Sequence, residues 1–117
     1  MKIQVVLVED NESIRELIEY ILADQDIKFV SFSTAGNFRR AKSAITTDLY
    51  ILDIMLPDGT GIDLCNELKA EQATQHTPII MMSAHLGQAE NQCTAEHFIA
   101  KPFDIEHFLA CVKQYLS

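Results

Sequence analysis

The chain has 117 residues, of which 48% are hydrophobic, and a formal net charge of −8. A chain of that length can fold as one domain, here residues 1–117, and bury a core without disulfide bonds, while its acidic surplus opposes direct binding of this segment to nucleic acid. No apolar stretch approaches the roughly 20 residues that span a bilayer, and residues 1–3 lead straight into a predicted strand, so we expect a cytoplasmic protein that does not bind membranes.

Strand and helix patterns alternate through the first half of the chain. Residues 3–8 are an almost unbroken apolar run, which is typical of a strand covered on both faces. Residues 11–23 predict a helix, with an Asn or Ser side chain available as its N-cap. A second strand at 28–32 and a second helix at 35–45 follow.

The alternation continues to the end of the chain, with one weak interval. The predicted elements are a strand at 49–52, a turn at 57–61, a helix at 62–70, a strand at 79–82, a strand at 98–100 and a last helix at 105–116. Residues 86–96 contain few apolar side chains and several poor helix formers, so we predict a shortened or irregular fourth helix there. Five strands alternating with helices predict an α/β fold with a parallel sheet, because each return to the sheet requires a helical crossover.

Polar side chains stand at the ends of four predicted strands. Glu9 and Asp10 follow the first strand and Asp53 the third. Ser83 follows the fourth strand and Lys101 the fifth. Since parallel strands end at the same edge of a sheet, we expect these five residues to converge there.

Three carboxylates in one place require a proton or a cation. Two unit charges roughly 4 Å apart repel by about 4 kcal/mol at an effective dielectric constant near 20. Hard oxygen ligands at a partly open site favour Mg²⁺, with Mn²⁺ as an alternative. A carboxylate beside such an ion can attack a phosphoryl group and form an acyl phosphate, while Lys101 and Ser83 can stabilise phosphoryl oxygens. The pattern therefore predicts a phosphoryl-transfer site.

The remaining metal-ligating residue types show no known motif. They are Cys65, Cys93, Cys111, His76, His85, His97 and His107. An odd number of widely spaced cysteines indicates free thiols in a reducing compartment. The histidines lack HExxH or paired spacing, so a zinc site is not predicted.

The chain resembles the receiver domains of two-component response regulators from about Ile3 to Leu116. The matching motifs are Glu9-Asp10, the segment 53–59 with Gly61, Ser83-Ala84 and Lys101-Pro102-Phe103. The resemblance implies a flavodoxin-like, doubly wound sheet of five parallel strands in the order 2-1-3-4-5. It also implies a signalling domain rather than an enzyme with an external substrate. Such a domain catalyses only its own phosphorylation and dephosphorylation, and then acts on an effector domain or protein.

By this resemblance, Asp53 is the phosphoacceptor. It would receive a phosphoryl group from a phosphohistidine on a sensor histidine kinase or a histidine phosphotransfer protein. Asp10, Asp53 and the Met55 carbonyl would ligate Mg²⁺, with Glu9 acting mostly through water. The peptide bond between Lys101 and Pro102 would be cis.

The resemblance further implies a conformational switch. Ser83 would move toward the phosphoryl group, and the ring of Phe98 would fill the space it leaves. Met55 and His85 would border the path of the hydrolytic water, and we hypothesise that His85 influences the lifetime of the acyl phosphate. The output surface would combine the fourth helix, the fifth strand and the last helix. Because Thr94 stands where the family commonly has glycine, we predict an altered loop before the fifth strand.

Two alternatives share parts of this pattern. A small Mg²⁺-dependent aspartyl-phosphate phosphatase, resembling haloacid-dehalogenase-like enzymes, would use Asp53 as nucleophile but needs a second acid where Met55 stands. A flavodoxin-like flavin carrier needs a hydroxyl- and glycine-rich phosphate loop after the first strand, where the acidic residues 9–12 would repel the flavin phosphate. A receiver of this kind would be either a stand-alone protein or a fragment of a longer regulator.

Overall fold

A five-stranded sheet lies between two pairs of helices in the computed structural model, which describes residues 1–84, 87 and 89–116. The strands are β1 (Lys2–Val8), β2 (Phe29–Phe32), β3 (Thr46–Asp53), β4 (Ile79–Ser83) and β5 (His97–Ala100). The helices are α1 (Glu12–Asp24), α2 (Ala35–Ala41), α3 (Gly61–Ala70) and α4 (Ile105–Leu116). No described helix is long and apolar enough to cross a bilayer.

All neighbouring strands of the sheet are parallel, in the order β2-β1-β3-β4-β5. Val6 of β1 pairs with Val30 on one side and Tyr50 on the other. At the carboxyl edge, Asp53 pairs with Met82, and Ser83 pairs with Ala100. The flavodoxin-like order expected from the resemblance is therefore confirmed.

The period of two along the strands divides the core between the two faces of the sheet. Val5 and Leu7 pack in one cluster with residues of α1 and α4. Val6 and Val8 pack in a second cluster with residues of α2 and α3. Because both faces are covered, the central strands are apolar without alternation.

Side-chain caps fix where three of the helices begin. Asn11 Oδ1 accepts a hydrogen bond of 3.0 Å from the Ile14 backbone N–H, so Asn11 is the N-cap of α1. Thr34 caps α2 and Thr60 caps α3 through the same kind of bond. Each cap satisfies a backbone donor that the first helical turn cannot pair internally.

Two predicted boundaries are wrong. The second helix ends at Ala41, and a 3₁₀ turn at Lys42–Ala44 replaces its predicted last turn. The third strand begins at Thr46 rather than at Leu49, because Thr46 pairs with Lys2 at the exposed end of the sheet. The first residues of this strand are polar, so the run of apolar residues used to predict it begins only at Leu49. A two-stranded ribbon, Met55–Leu56 with Gly59–Thr60, also lies where only a turn was predicted.

The shortened fourth helix is confirmed in the described part of the segment between β4 and β5. A 3₁₀ turn at Ala89–Asn91 is followed by non-helical residues up to β5. Ala89 and Cys93 are buried in the cluster beneath α2 and α3, and Asn66 Nδ2 of α3 donates to the Gln92 carbonyl at 3.1 Å. The described residues of this segment, 87 and 89–96, therefore cover the sheet without a regular helix. Among described residues only Asp26 and two glycines have positive φ, so Thr94 does not adopt the conformation that favours glycine there.

Candidate functional site

Strand pairing brings the polar strand ends together. The Glu9 N–H donates to the Phe32 carbonyl at 3.0 Å, which extends the β1–β2 pairing by one residue. The Lys101 N–H donates to the Ser83 carbonyl at 2.9 Å, which does the same for β4 and β5. The site is thus fixed by the sheet itself rather than by a long loop.

Three carboxylates form the acid pocket: Glu9, Asp10 and Asp53. One oxygen from each lies within 4.8 Å of the others. Glu9 and Asp53 are buried, whereas Asp10 is exposed. The pocket consequently has a buried wall and an open side through which a hydrated cation can arrive.

Lys101 supplies the positive charge on the buried side of the acid pocket. Its Nζ lies 2.6 Å from Glu9 Oε1 and 3.3 Å from Asp53 Oδ2. Glu9 Oε2 accepts a second hydrogen bond, of 3.1 Å, from the Asn11 N–H. Because both oxygens of Glu9 already have partners, Glu9 is less free to ligate a cation directly than Asp10.

The environment of Asp53 raises the pKa of its carboxyl group from 3.8 to about 7. Burial is the main cause, followed by the hydrogen bond and the charge repulsion from Glu9. Lys101 and the Met55 N–H, which donates to Asp53 Oδ1 at 3.2 Å, act in the opposite direction. A second positive charge at the pocket would favour the ionised form of Asp53.

A glycine allows α3 to begin directly beneath Asp53. A Cβ atom at Gly61 would lie 2.2 Å from the Asp53 carbonyl oxygen, far inside van der Waals contact. The Gly61 N–H also donates to the Ile54 carbonyl at 2.9 Å. The absence of a side chain at this position therefore helps to hold the end of β3 in place.

Ser83 and Phe98 lie on the same face of the sheet. Ser83 is two residues after Met81 in β4, and Met81 pairs with Phe98 in β5. Side chains of residues two apart, and of paired residues in parallel strands, point the same way. Ser83 is buried, and Phe98 is half-buried against the cluster beneath α2 and α3.

The other expected site residues are placed as follows. The peptide bond between Lys101 and Pro102 is cis, as expected. Met55 lies two residues after Asp53, at the position where the phosphatase alternative requires an acid, and its side chain is exposed. His85 lies outside the described residues, so the hypothesis about its role stays a prediction.

Two supporting residues had no role in the sequence-based prediction. Arg15 Nη1 donates to the Glu9 carbonyl at 3.1 Å and to the Asp10 carbonyl at 3.5 Å, which steadies the acidic turn. Asp58 accepts hydrogen bonds from Ala35 N–H (2.8 Å) and Gly36 N–H (2.9 Å), at the start of α2. Asp58 belongs to the matching motif, but its partners are distant in sequence, and no local pattern indicates Arg15.

The donor set fits a hard divalent cation. Three carboxylates, one of them exposed, offer oxygen ligands at a site that leaves room for water, as Mg²⁺ and Mn²⁺ prefer. Lys101 neutralises at most one of the three negative charges. The remaining charge favours a cation at the open side.

Comparison with known proteins gives matches along nearly the whole chain. The sequence profile of the family described as response regulator receiver domain matches residues 5–113. The transcriptional regulatory protein GltR of Pseudomonas aeruginosa is 34% identical over an alignment of 116 residues that covers 96% of this chain and 48% of that protein. The chain spans about half the length of the curated relatives it matches.

Solved structures show the same fold. The receiver domain of a signal transduction histidine kinase from Syntrophus aciditrophicus superimposes with a TM-score of 0.91 at 24% identity, covering 97% of this chain and 89% of that one. The receiver domain of a sensor histidine kinase from Pseudomonas aeruginosa gives a TM-score of 0.88 at 22% identity, covering 99% and 98%. In that neighbour a magnesium ion is coordinated in the active-site cleft.

Proposed function

The chain belongs to the response regulator receiver domain family, whose members are phosphoacceptors in two-component signalling, and from this premise we propose that Asp53 is its phosphoacceptor. The phosphoryl donor is a phosphohistidine on a sensor histidine kinase or a histidine phosphotransfer protein. The observation that carries the proposal is the position of the Asp53 carboxylate, which shares the acid pocket with Glu9 and Asp10 and lies 3.3 Å from Lys101 Nζ.

In the proposed reaction, an ionised Asp53 oxygen attacks the phosphorus of the phosphohistidine. A carboxylate–phosphorus bond forms, the phosphorus–nitrogen bond breaks, and the electron pair returns to the imidazole. Asp10, Asp53 and the Met55 carbonyl would hold Mg²⁺, or Mn²⁺, with Glu9 acting mostly through water. The bound ion would neutralise charge on the phosphoryl group.

Lys101 has a second task in this reaction. Before phosphorylation its ammonium group is bound to Glu9 at 2.6 Å and to Asp53 at 3.3 Å. Once Asp53 carries a phosphoryl group, a nearby oxygen of that group offers Lys101 a stronger charge-assisted partner. The Ser83 hydroxyl donates to another phosphoryl oxygen, which supports the transition state where charge accumulates.

Ser83 and Phe98 form the proposed link from the site to the output surface. Their shared face of the sheet lets a movement of Ser83 change the space available to the half-buried Phe98 ring. The resulting rotation of the Phe98 ring would change the surface formed by β5 and α4, to which an effector domain or protein would bind. With a net charge of −8, this segment is not expected to bind nucleic acid directly. We place the protein in the cytoplasm, as a signalling domain that modifies only itself.

Phosphorylation by a small donor tests the assignment of Asp53. The protein is incubated with acetyl phosphate and Mg²⁺, and its intact mass is measured. We expect one phosphoryl adduct in the wild type and in Asp26→Asn, which changes an exposed acid between α1 and β2, and none in Asp53→Asn. An adduct that persists in Asp53→Asn, or is absent from the wild type, would show that the assignment is wrong.

A further inference from the structure

Three metal-ligating side chains lie together at the start of β5, at the opposite end of that strand from the acid pocket. His97 is the first residue of β5, and His107 and Cys111 lie about one turn apart on α4. Cys111 Sγ is 3.4 Å from His97 Nε2 and 3.8 Å from His107 Nε2. One ligand atom from each of the three residues lies within 4.8 Å of the others.

These distances match the edges of a tetrahedral metal site. With metal–sulfur and metal–nitrogen bonds of about 2.3 and 2.0–2.1 Å, the sulfur–nitrogen edge of a tetrahedron is about 3.6 Å. The two observed sulfur–nitrogen distances, 3.4 and 3.8 Å, lie on either side of this value. Two imidazoles and one thiolate favour Zn²⁺ over the hard cations that carboxylates bind.

Hydrogen bonding alone explains this geometry less well. A thiol has one proton, so Cys111 can donate to only one imidazole nitrogen, and a hydrogen bond to the second imidazole would need its sulfur as a weak acceptor. Yet nitrogen atoms of both His97 and His107 approach its sulfur. A metal ion, unlike the single thiol proton, can bind the sulfur and both imidazole nitrogens at once.

The three residues differ in how deeply they are buried. Cys111 is buried with 4% of its surface exposed, His97 is half-buried and His107 is exposed. A metal ion can therefore reach the thiol from solvent past His107. A water molecule would supply the fourth ligand, as in zinc sites with three protein ligands.

We propose that His97, His107 and Cys111 form a zinc-binding site on the surface of β5 and α4. When zinc binds, the sulfur–metal bond forms, the thiol proton leaves to solvent, and the metal keeps its oxidation state. The site shares no residue with the acid pocket and goes beyond the proposed phosphoacceptor function. The histidine spacing alone gives no sign of it. The separation of four residues between His107 and Cys111 is the local signal, and His97 joins them only through the fold.

Cobalt substitution tests this site directly. Co²⁺ is added to the reduced protein in excess Mg²⁺, which keeps the acid pocket filled with magnesium. We expect a thiolate-to-cobalt charge-transfer band and the strong visible bands of tetrahedral coordination at one equivalent, both removed by adding Zn²⁺. Loss of a hydrogen-bond partner of a metal ligand typically weakens metal binding by about 10–100-fold, so loss of a ligand itself in His107→Gln should weaken it by at least about 100-fold.

Matched variants separate this site from adventitious binding. His76→Gln changes another exposed histidine and should leave the cobalt spectrum unchanged, whereas Cys111→Ser should abolish the charge-transfer band. Circular dichroism confirms that each variant is folded, and His107 is exposed enough for its replacement to be tolerated. The proposal is wrong if the wild type gives no charge-transfer band, or if His107→Gln binds Co²⁺ as tightly as His76→Gln.

Discussion

The ammonium group of Lys101 forms ion pairs with two buried carboxylates, Glu9 and Asp53. A buried charge that loses its partner destabilises a protein far more than the pair stabilises it. At the scale of single residues, the balance of charge in the acid pocket therefore controls stability as well as chemistry. We therefore expect both to depend on pH and on divalent cations.

Replacing Lys101 with alanine should destabilise the protein in a pH-dependent manner. We expect a loss of about 3 kcal/mol near pH 8, where Asp53, whose pKa is about 7, is charged, and a smaller loss near pH 5, where Asp53 holds its proton. Urea unfolding in EDTA measures both values. Lys113→Ala removes an exposed lysine of α4 and is the control. Equal losses at the two pH values would contradict the explanation.

Asp53→Asn should be more stable than the wild type at high pH without divalent cations. The pKa of about 7 exceeds the ordinary value of 3.8, so the folded state holds the Asp53 proton more tightly than the unfolded state does. The resulting stabilisation is complete below about pH 4 and is lost as the pH rises through about 7. Asparagine does not ionise, so the free energy of unfolding of Asp53→Asn near pH 8 should exceed that of the wild type by about 1–3 kcal/mol.

The same unfolding measurements include a cation test and a control. Mg²⁺ should stabilise the wild type more than Asp53→Asn, because binding favours the ionised carboxylate. Asp26→Asn removes an exposed acid and should respond to pH and Mg²⁺ as the wild type does. A wild type that is no less stable near pH 8 than near pH 5, relative to Asp53→Asn, would contradict the raised pKa.

At the scale of elements, the junction of β3 and α3 is the tightest constraint on the site. Gly61→Ala would place a Cβ 2.2 Å from the backbone oxygen of Asp53, and backbone cannot move aside as a side chain can. We expect a loss of about 2–3 kcal/mol in urea unfolding. At Gly36, the matched control, the new Cβ would lie 3.1 Å from the tip of the Asp58 side chain, which would need to move by only a few tenths of an ångström. Comparable losses in the two variants would show that backbone contact is not the cause.

Elements were predictable where burial is uniform and obscure where it is not. β1 and β4 are apolar runs, and their predicted bounds agree with the observed ones to within one residue. The polar start of β3 at Thr46 and the two-residue strands of the ribbon carry too little apolar pattern to be recognised. The order of the strands came from the family resemblance, because periodicity does not specify which strands are neighbours.

At the scale of the whole molecule, the sheet connects the acid pocket with the β5–α4 surface. Ser83 and Phe98 lie on one face of neighbouring strands, so a change at the phosphoacceptor has a short physical path to β5. The path is a hypothesis about coupling, and coupling is measurable by comparing variants.

Ser83→Ala should separate phosphorylation from its conformational effect. After prolonged incubation with acetyl phosphate, we expect the variant to carry the phosphoryl adduct, formed more slowly than in the wild type. The change in hydrogen exchange of β5, residues 97–100, should then be at least halved, because the hydroxyl no longer moves toward the phosphoryl group. Ser43→Ala changes an exposed serine and should behave as the wild type. An unchanged response in phosphorylated Ser83→Ala would exclude Ser83 as the link.

The acid pocket was accessible to sequence analysis because each of its side chains directly follows a recognisable strand. Glu9, Asp53 and Lys101 could therefore be assigned to one edge before any contact was known. The groups that hydrogen-bond to Glu9, such as the Arg15 guanidinium and the Asn11 N–H, are positioned by the conformation of the turn after β1, which the sequence pattern does not specify. The cluster of His97 with Cys111 depends on helix packing across a strand, which local spacing does not encode.

The ion pair between Glu9 and Lys101 joins residues 92 positions apart. During synthesis the acids emerge first, and the lysine that pairs with Glu9 and Asp53 follows only after β5 is made. The acid pocket therefore cannot be complete until the first and last strands of the sheet have been placed, a contact of high sequence separation that forms at an entropic cost. A nascent or truncated chain that lacks β5 should not accept a phosphoryl group efficiently. Competence to receive the signal is thereby tied to completion of the fold.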